Sequence, residues 1–337
     1  MNLEKAERIL VIRFSALGDI LLTTPFIRVL KKKYPGLKID YFVKSNFIEA
    51  VQLNPNLNEI YSWNGENEFA EVVAKLTHNK YDFVIDLQNN LRSKKVVRKI
   101  GASSARFKKP NVKKFLLVHT KINLLKERKT IPQRYLEVIP DLELDGKGLE
   151  LFLPDRMESA KGEQWLKIDS EKEIIGFAPG AFHYTKRWPL EYYEELGNQL
   201  LSEGYQIVIF GGKSDREICD DLKNKITDSI DLSNDNDLFQ TAMEMGKCKI
   251  VVCNDSGLMH TATSVGIPVV SIFGSTVREF GFPPFGVENL VIENDELACR
   301  PCTHIGKAKC KKKHLNCLRE LTPQQVHNEI NDFMRMI

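Results

Sequence analysis

The stretch RILVIRFSALGDILLTTP, Arg8 to Pro25, carries an apolar, β-branched run straight into a Gly-Asp turn. It continues into a segment whose apolar residues recur three and four apart. The period changes from that of a strand to that of a helix within a few residues, so the stretch predicts a strand, a tight turn and a helix. Asp19 stands where that helix begins. A turn of this kind suits phosphate, but a carboxylate repels it, so Asp19 calls for a different role from the glycine beside it. Pro25 does not fit a helix interior and predicts a kink or a shortened first turn.

The same alternation continues along the chain. LKIDYFV reads as a strand, NFIEAVQLNP as a helix and YDFVIDLQ as a strand with a polar end. Strands alternating with helices predict a parallel sheet covered on both faces. From about 140 to 170 the chain is polar and broken by Gly and Pro; this reads as a joining region, part of which a helix can cover. The pattern then restarts with EIIGFAPG, YQIVIFGG, KIVVCNDSG and IPVVSIFGS as strands, PLEYYEELGNQLLSEG, DREICDDLKNKI and GLMHTATSVG as helices, and PQQVHNEINDFM as a closing helix. Two successive α/β domains of about 150 residues each are expected, with no sequence repeat linking them. In open parallel sheets, ligands sit beyond the carboxyl ends of the strands. Asp19, Gln88, Pro179–Lys186, Gly211–Gly212, Asp255–Gly257 and Gly274–Ser275 all follow predicted strands.

Bulk properties exclude several classes. The 48 basic and 45 acidic residues leave a formal charge of +3, too balanced for nucleic acid as the main partner. Local basic clusters, RFKKPNVKK and KAKCKKKH, are read first as solvated surface and second as sites for an anionic lipid or acceptor. No run approaches 18 uninterrupted apolar residues, and the start lacks the long apolar region of a signal peptide. Cytoplasmic residence is the expectation. Seven cysteines, four of them between 299 and 317, do not form a secreted disulfide framework.

Three strand-to-helix junctions can carry chemistry. NDSGLMH, Asn254 to His260, offers free N–H groups at a helix start, a Ser256 hydroxyl and a Gly257 that lets a ligand approach the backbone. The plainer reading is that Asp255 or Ser256 caps the helix. GAFHYTKRWP supplies Lys186 and Arg187, and a lysine there can offset charge on a departing diphosphate. IFGGKSDRE is a weaker opening of the same kind. Asp19 can take a proton from an attacking hydroxyl, or it can be a turn acid. Asp86, Asn90 and Arg92 in DLQNNLRS are either ligand groups or local loop partners. The set Cys299-x2-Cys302-x7-Cys310-x6-Cys317 could hold structural zinc or iron, stay reduced, or pair as disulfides.

The pieces ILVIRFSALGDILLTTP, DFVIDLQNNLRS, APGAFHYTKRWP, VCNDSGLMHTATSVGIPVVSIFGS and CRPC…C…CLRELTPQQV occur in this order over nearly the whole chain. Together they resemble the heptosyltransferases of glycosyltransferase family 9, which extend the lipopolysaccharide core. The resemblance implies a GT-B fold, two Rossmann-like domains facing across a central cleft: an acceptor domain over 1–160 and a nucleotide-sugar domain over 170–322 containing the four-cysteine segment 299–317. A closing helix over 323–337 would pack back toward the first domain. It implies an inverting enzyme that needs no divalent metal or other cofactor for catalysis, a donor ADP-L-glycero-β-D-manno-heptose, and a lipid A–Kdo or heptose-bearing core as acceptor.

Carried over residue by residue, Asp19 matches the acid proposed as general base and Lys186 the lysine on the donor phosphates. Thr185, Asp255, Ser256, Gly257 and His260 fall on the donor side, as do Gly212 and either Asp215 or Glu217 for the ribose. Ser15, Asn90 and Arg92 fall on the acceptor side, where Gln88 replaces a more usual histidine. Two other readings stand beside this one: a related transferase using another nucleotide sugar, and a non-catalytic nucleotide-binding scaffold. An amphiphilic acceptor would bring the enzyme to the inner face of the inner membrane as a peripheral protein, with Lys108, Lys109, Lys113 and Lys114 toward lipid.

Overall fold

Strand β1 (Arg8–Ile12) is buried along its apolar length and pairs in parallel with β2 (Lys38–Lys44) on one side. On the other side it pairs with β4 (Phe83–Asp86). β3 (Ile60–Trp63) extends the sheet beyond β2, and β5 (Ser103–Arg106) extends it beyond β4. The order is therefore β3-β2-β1-β4-β5, all parallel. The structure is a computed structural model and describes residues 3–155 and 168–337. The helix anticipated within the joining region falls partly on 156–167, outside the described residues.

The helix after β1 is broken in two, Leu17–Leu21 and Thr24–Lys33. Pro25 is the reason: it occupies the second position of the later helix, where a missing N–H costs no hydrogen bond. One face of the sheet is closed by an aromatic group. Phe14, Phe42, Trp63 and Phe69 meet edge-on or stacked at centroid distances of 4.8 to 6.1 Å, packed with Leu10, Ile12 and Val84.

The second sheet contains β6 (Ile174–Ala178), β7 (Gln206–Ile209), β8 (Ile230–Asp231), β9 (Ile250–Asn254), β10 (Val269–Phe273) and β11 (Asn289–Glu293). Its order is β11-β10-β9-β6-β7-β8, again all parallel. Numbered from its own first strand, it repeats the topology of the first sheet and adds a sixth strand. β8 and β11 have no counterpart among the strands read from the sequence.

The chain divides into one compact unit of Met1–Pro110 with Lys129–Phe152 and a second of Asn111–Arg128 with Leu153–Ile337. The segment 111–128 therefore clusters with the later residues, because Leu117 and Leu125 share a buried cluster with Val277 and Phe280. The closing helix, Pro323–Met336, was expected to pack toward the first domain. It buries Val326, Ile330 and Phe333, spaced four and three apart, in the core of the second unit. Trp188 lies in the same core, its indole N–H donating to the Leu321 carbonyl at 2.9 Å.

Candidate active site

In the second sheet the strand order reverses between β6 and β9, the place where open α/β sheets hold ligands. The loops after these two strands are joined by one side chain. Asn254 donates through Nδ2 to the Pro179 carbonyl at 2.7 Å and accepts from the Trp188 N–H at 3.0 Å. This brings Lys186 and Asp255 together, Nζ to Oδ2 at 2.7 Å, both largely buried. The Thr276 hydroxyl donates to the same Asp255 oxygen at 2.7 Å. An ammonium has three donors, so two remain for a ligand.

The capping alternative for this junction can be tested directly. Ser256 is the N-cap of the helix Gly257–Ser264, yet no side chain caps that helix. Asp255 is engaged by Lys186 and Thr276, and the buried Ser256 hydroxyl has no hydrogen-bond partner among the described residues. The first N–H groups of the helix are thus left for something other than a local side chain.

Behind Asp255 stands the loop after β10. The Thr185 hydroxyl bonds that of Ser275 at 2.9 Å, and the Thr185 carbonyl accepts the Ser275 N–H at 3.2 Å. Thr185 also accepts from the Lys307 N–H at 2.9 Å, so its side chain holds loops together. Gly274 is required here: a Cβ would lie 2.8 Å from the Thr185 carbonyl and 2.7 Å from Leu318. Backbone cannot yield as a side-chain tip can. Gly274→Ala should therefore cost about 1–3 kcal/mol of stability, read by thermal melting. An unchanged melting temperature would mean that the loop yields to admit the methyl group.

Arg300 fastens the loop from below. Its guanidinium donates to the carbonyls of Gly274 (2.7 Å), Thr276 (2.8 Å) and Asn294 (3.0 Å) and pairs with Glu293. The Arg300 and Glu293 side chains are 2% and 3% exposed. Glu293 also pairs with Arg278. Removing one partner of such a pair strands buried charge, so Glu293→Ala should lower stability by about 3–5 kcal/mol. A urea titration would show it; a loss near zero would mean that water or relaxation rescues Arg300.

Around the Gly-Gly turn after β7, Asp215 is the acid that faces inward. A Cβ on Gly180 would fall 2.3 Å from its carboxyl carbon. Burial pushes the Asp215 carboxyl up, against the pull of a backbone hydrogen bond from Gly212 and of nearby Arg187. Glu217 is exposed on the first turn of the next helix. Gly212 lies against Asn236, whose Oδ1 accepts from the Lys213 N–H at 3.0 Å. His260 is buried in the helix that Ser256 begins.

In the first sheet the order reverses between β1 and β4. The backbone N–H groups of Leu87 and Gln88 donate to the Ile12 carbonyl, and the Gln88 side chain accepts from the Phe14 N–H at 2.9 Å. The two loops are thereby locked side by side. Asp19 sits at this edge, its side chain 25% exposed, with Oδ1 paired to Arg13 at 2.8 Å. Its Oδ2 accepts the Ala16 N–H at 3.3 Å, the ordinary role of a helix-start acid. Arg13 is buried and donates to the Leu87 carbonyl at 2.9 Å. Burial opposes its charge, but Asp19 and its other neighbours outweigh that and hold its pKa up.

The remaining acceptor-side candidates separate. Asn90 caps the helix Leu91–Ile100, accepting from the Ser93 N–H at 2.9 Å, while the Ser93 hydroxyl donates to Asp86 at 2.8 Å. Arg92 pairs with Glu66 and lies over the rings of Trp63 and Phe69 at 5.0 and 5.5 Å. Ser15 is half-buried in the loop before Asp19. Lys109, read from the sequence as lipid-facing, instead turns inward. Its ammonium donates to the Asn89 carbonyl at 3.3 Å, and its pKa is lowered by burial and by Arg13 despite Asp19 and Asp86 nearby. Neither Arg13 nor Lys109 was singled out for chemistry from the sequence, although Arg13 stands in the opening stretch and Lys109 in a basic cluster.

The four-cysteine segment is a correction. Among the described residues no group of three or more His, Cys, Asp or Glu side chains is placed to hold a metal ion, and Cys299, Cys302, Cys310 and Cys317 are all free. The expected structural zinc or iron is therefore not supported, nor is a disulfide. Cys317 belongs to the second unit's apolar core, with Cys310 packed against it. Burial, and after it the Cys302 thiol, pushes the Cys317 thiol up to about 12.

Comparison with known proteins bears on the family and the fold. Residues 69–313 match the model of glycosyltransferase family 9 (heptosyltransferase). The lipopolysaccharide heptosyltransferase 2 of Escherichia coli K12 is 28% identical over 345 aligned positions, covering 96% of this chain and 97% of that one. A solved structure of the E. coli ADP-heptose lps heptosyltransferase II superposes with a TM-score of 0.72 at 26% identity, over 98% of this chain and 99% of the other. A family 9 glycosyl transferase from Veillonella parvula has the same fold, with a TM-score of 0.80 at 23% identity, over 100% of this chain and 99% of the other.

Proposed function

We infer the reaction from one premise: the chain belongs to glycosyltransferase family 9 (heptosyltransferase). Its GT-B fold is that of a heptosyltransferase, and the reaction is transfer of heptose from ADP-heptose to a lipopolysaccharide core acceptor with inversion at the anomeric carbon. Asp19 takes the proton from the acceptor hydroxyl. The hydroxyl oxygen bonds to the anomeric carbon as the bond from that carbon to the ADP oxygen breaks. The electron pair leaves with the diphosphate, and no covalent enzyme intermediate forms.

On the donor side, Lys186 and the first N–H groups of the helix Gly257–Ser264 take up the charge on the leaving group. The observation that carries this reading is the uncapped helix start beside the Lys186–Asp255 pair. It leaves backbone donors, a hydroxyl and an ammonium together, with the adjacent carboxylate already neutralised. Asp215, rather than the exposed Glu217, is the acid we assign to the donor ribose, because it faces the loop after β6. On the acceptor side, Asp19 acts with Lys109 and Arg13 near it, while Asn90 and Arg92 shape the adjoining loop and helix.

A lipid-linked acceptor calls for contact with a membrane surface. We read this contact as peripheral; among the described residues no helix is long and apolar enough to cross a membrane. Titration of the protein with ADP-heptose, ADP-glucose, UDP-glucose and GDP-mannose, followed by product analysis with a truncated core acceptor, tests the function. Selective binding of ADP-heptose with transfer supports it. Preference for another nucleotide sugar keeps the mechanism and discards the heptose, and no binding at all discards the enzyme.

A further inference from the structure

The segment Asn111–Arg128 has apolar residues of two kinds. Leu117 and Leu125 point inward, joining Val277 and Phe280 in a small buried cluster. Further attachments hold the segment in place. Lys121 donates to the carbonyls of Cys299 and Pro301 at 3.2 and 2.7 Å, Arg128 pairs with Glu279 at 3.2 Å, and Lys114 lies over the rings of Phe280 and Phe282. The segment is thus anchored without Val112, Phe115, Ile122 and Leu124, which stand 72%, 60%, 53% and 50% exposed. Four large apolar side chains outside the core within thirteen residues are more than scattered surface residues require.

Charge says what covers them. The segment holds five Lys and Arg against the single acid Glu127. Lys113 and Lys126, exposed near its two ends, bracket Phe115, Ile122 and Leu124, with Val112 next to Lys113. Lysines beside exposed Phe, Ile, Leu and Val fit the boundary of an anionic bilayer, where apolar side chains enter the acyl region and ammonium groups stay among the headgroups. A partner surface of the same chain would have to supply matching acids.

We propose that residues 111–128 form the membrane-docking surface of this protein, with Phe115 and Ile122 entering an anionic phospholipid bilayer and Lys113 and Lys126 bound to its headgroups. The inference rests on the reading of the acceptor as lipid-linked and names the surface that reaches it. It also corrects the lipid-facing lysines expected from the sequence, since Lys109 and Lys114 are engaged within the protein.

The test is cosedimentation of the full chain with vesicles of phosphatidylglycerol and phosphatidylethanolamine, and with phosphatidylcholine alone. The wild type should bind the anionic vesicles about tenfold more tightly, and more weakly as salt rises. Phe115→Ser with Ile122→Ser should lower that binding about tenfold or more, and Lys113→Gln with Lys126→Gln should remove most of its salt dependence. Both variants should transfer heptose to a deacylated, water-soluble acceptor at the wild-type rate and keep the wild-type melting temperature.

Wild-type binding equal on the two vesicle types, or absent, overturns the proposal. So does vesicle binding unchanged in both variants. Sedimentation velocity showing a dimer that the Phe115/Ile122 variant dissolves would assign the surface to a second copy instead. Vesicle binding without any heptosyl transfer would sink the reaction and leave the surface standing, whereas transfer without vesicle binding would do the reverse.

Discussion

Asp19→Asn should lower the rate of heptosyl transfer about 10²–10⁴-fold, the usual contribution of a positioned general base. The amide keeps its one oxygen for the Arg13 guanidinium, gives up the weak bond from the Ala16 N–H and cannot accept a proton from the acceptor. Asn is preferred to Ala because Arg13 is buried and would otherwise keep only the Leu87 carbonyl, with no carboxylate beside it. Asp19 is assigned to the acceptor proton and not to the diphosphate, so ADP affinity, measured by calorimetry, should stay within about threefold of the wild type. A rate within about tenfold of the wild type would remove Asp19 as the base. A large loss of ADP affinity would show that it acts on the donor instead.

The opening stretch made the strand, the turn and Asp19 legible because the hydrophobic period changes sharply there. It did not show the partner of Asp19. Arg13 looks in sequence like the polar end of a strand; only the parallel pairing of β1 with β4 brings the Leu87 carbonyl to its guanidinium. Topology was similarly half visible. Alternation of strands and helices announced two parallel sheets, but the shared strand order follows from which strands pair, and no sequence repeat records that. β8, two residues long, has too little sequence for any period to show.

The NDSG junction presented two readings, a capped helix and a ligand site, and the sequence alone favours the cap. Geometry separates them, because Asp255 turns to Lys186 and Thr276 rather than to its own helix. The cysteines went the other way. Their spacing suggested a metal site, but spacing does not show that Cys317 faces the apolar core. Arg300 stands within the cysteine motif, where nothing in the sequence marks it. Its importance comes from three carbonyls that are distant in sequence or hidden in loops.

Lys186→Ala should lower kcat/KM about 10²–10³-fold, comparable to removing a donor aimed at developing charge. ADP affinity should fall at least about tenfold, or 1.4 kcal/mol. The loss has two sources. The variant lacks the ammonium, and it also leaves the Asp255 carboxylate with only the Thr276 hydroxyl, so that a bound diphosphate meets an uncompensated negative charge. The two sources can be separated with Asp255→Asn. In the Lys186→Ala/Asp255→Asn double variant the repulsion is gone, and ADP affinity should recover most of the way. Turnover should stay at the level of the single variant, since nothing replaces the ammonium when the bond to ADP breaks. Because the two residues touch, the double variant should depart from additivity. A double variant that binds ADP no better than Lys186→Ala would mean that Asp255 faces away from the diphosphate. A Lys186→Ala enzyme with near wild-type turnover would move leaving-group stabilisation wholly to the N–H groups of the helix at Gly257.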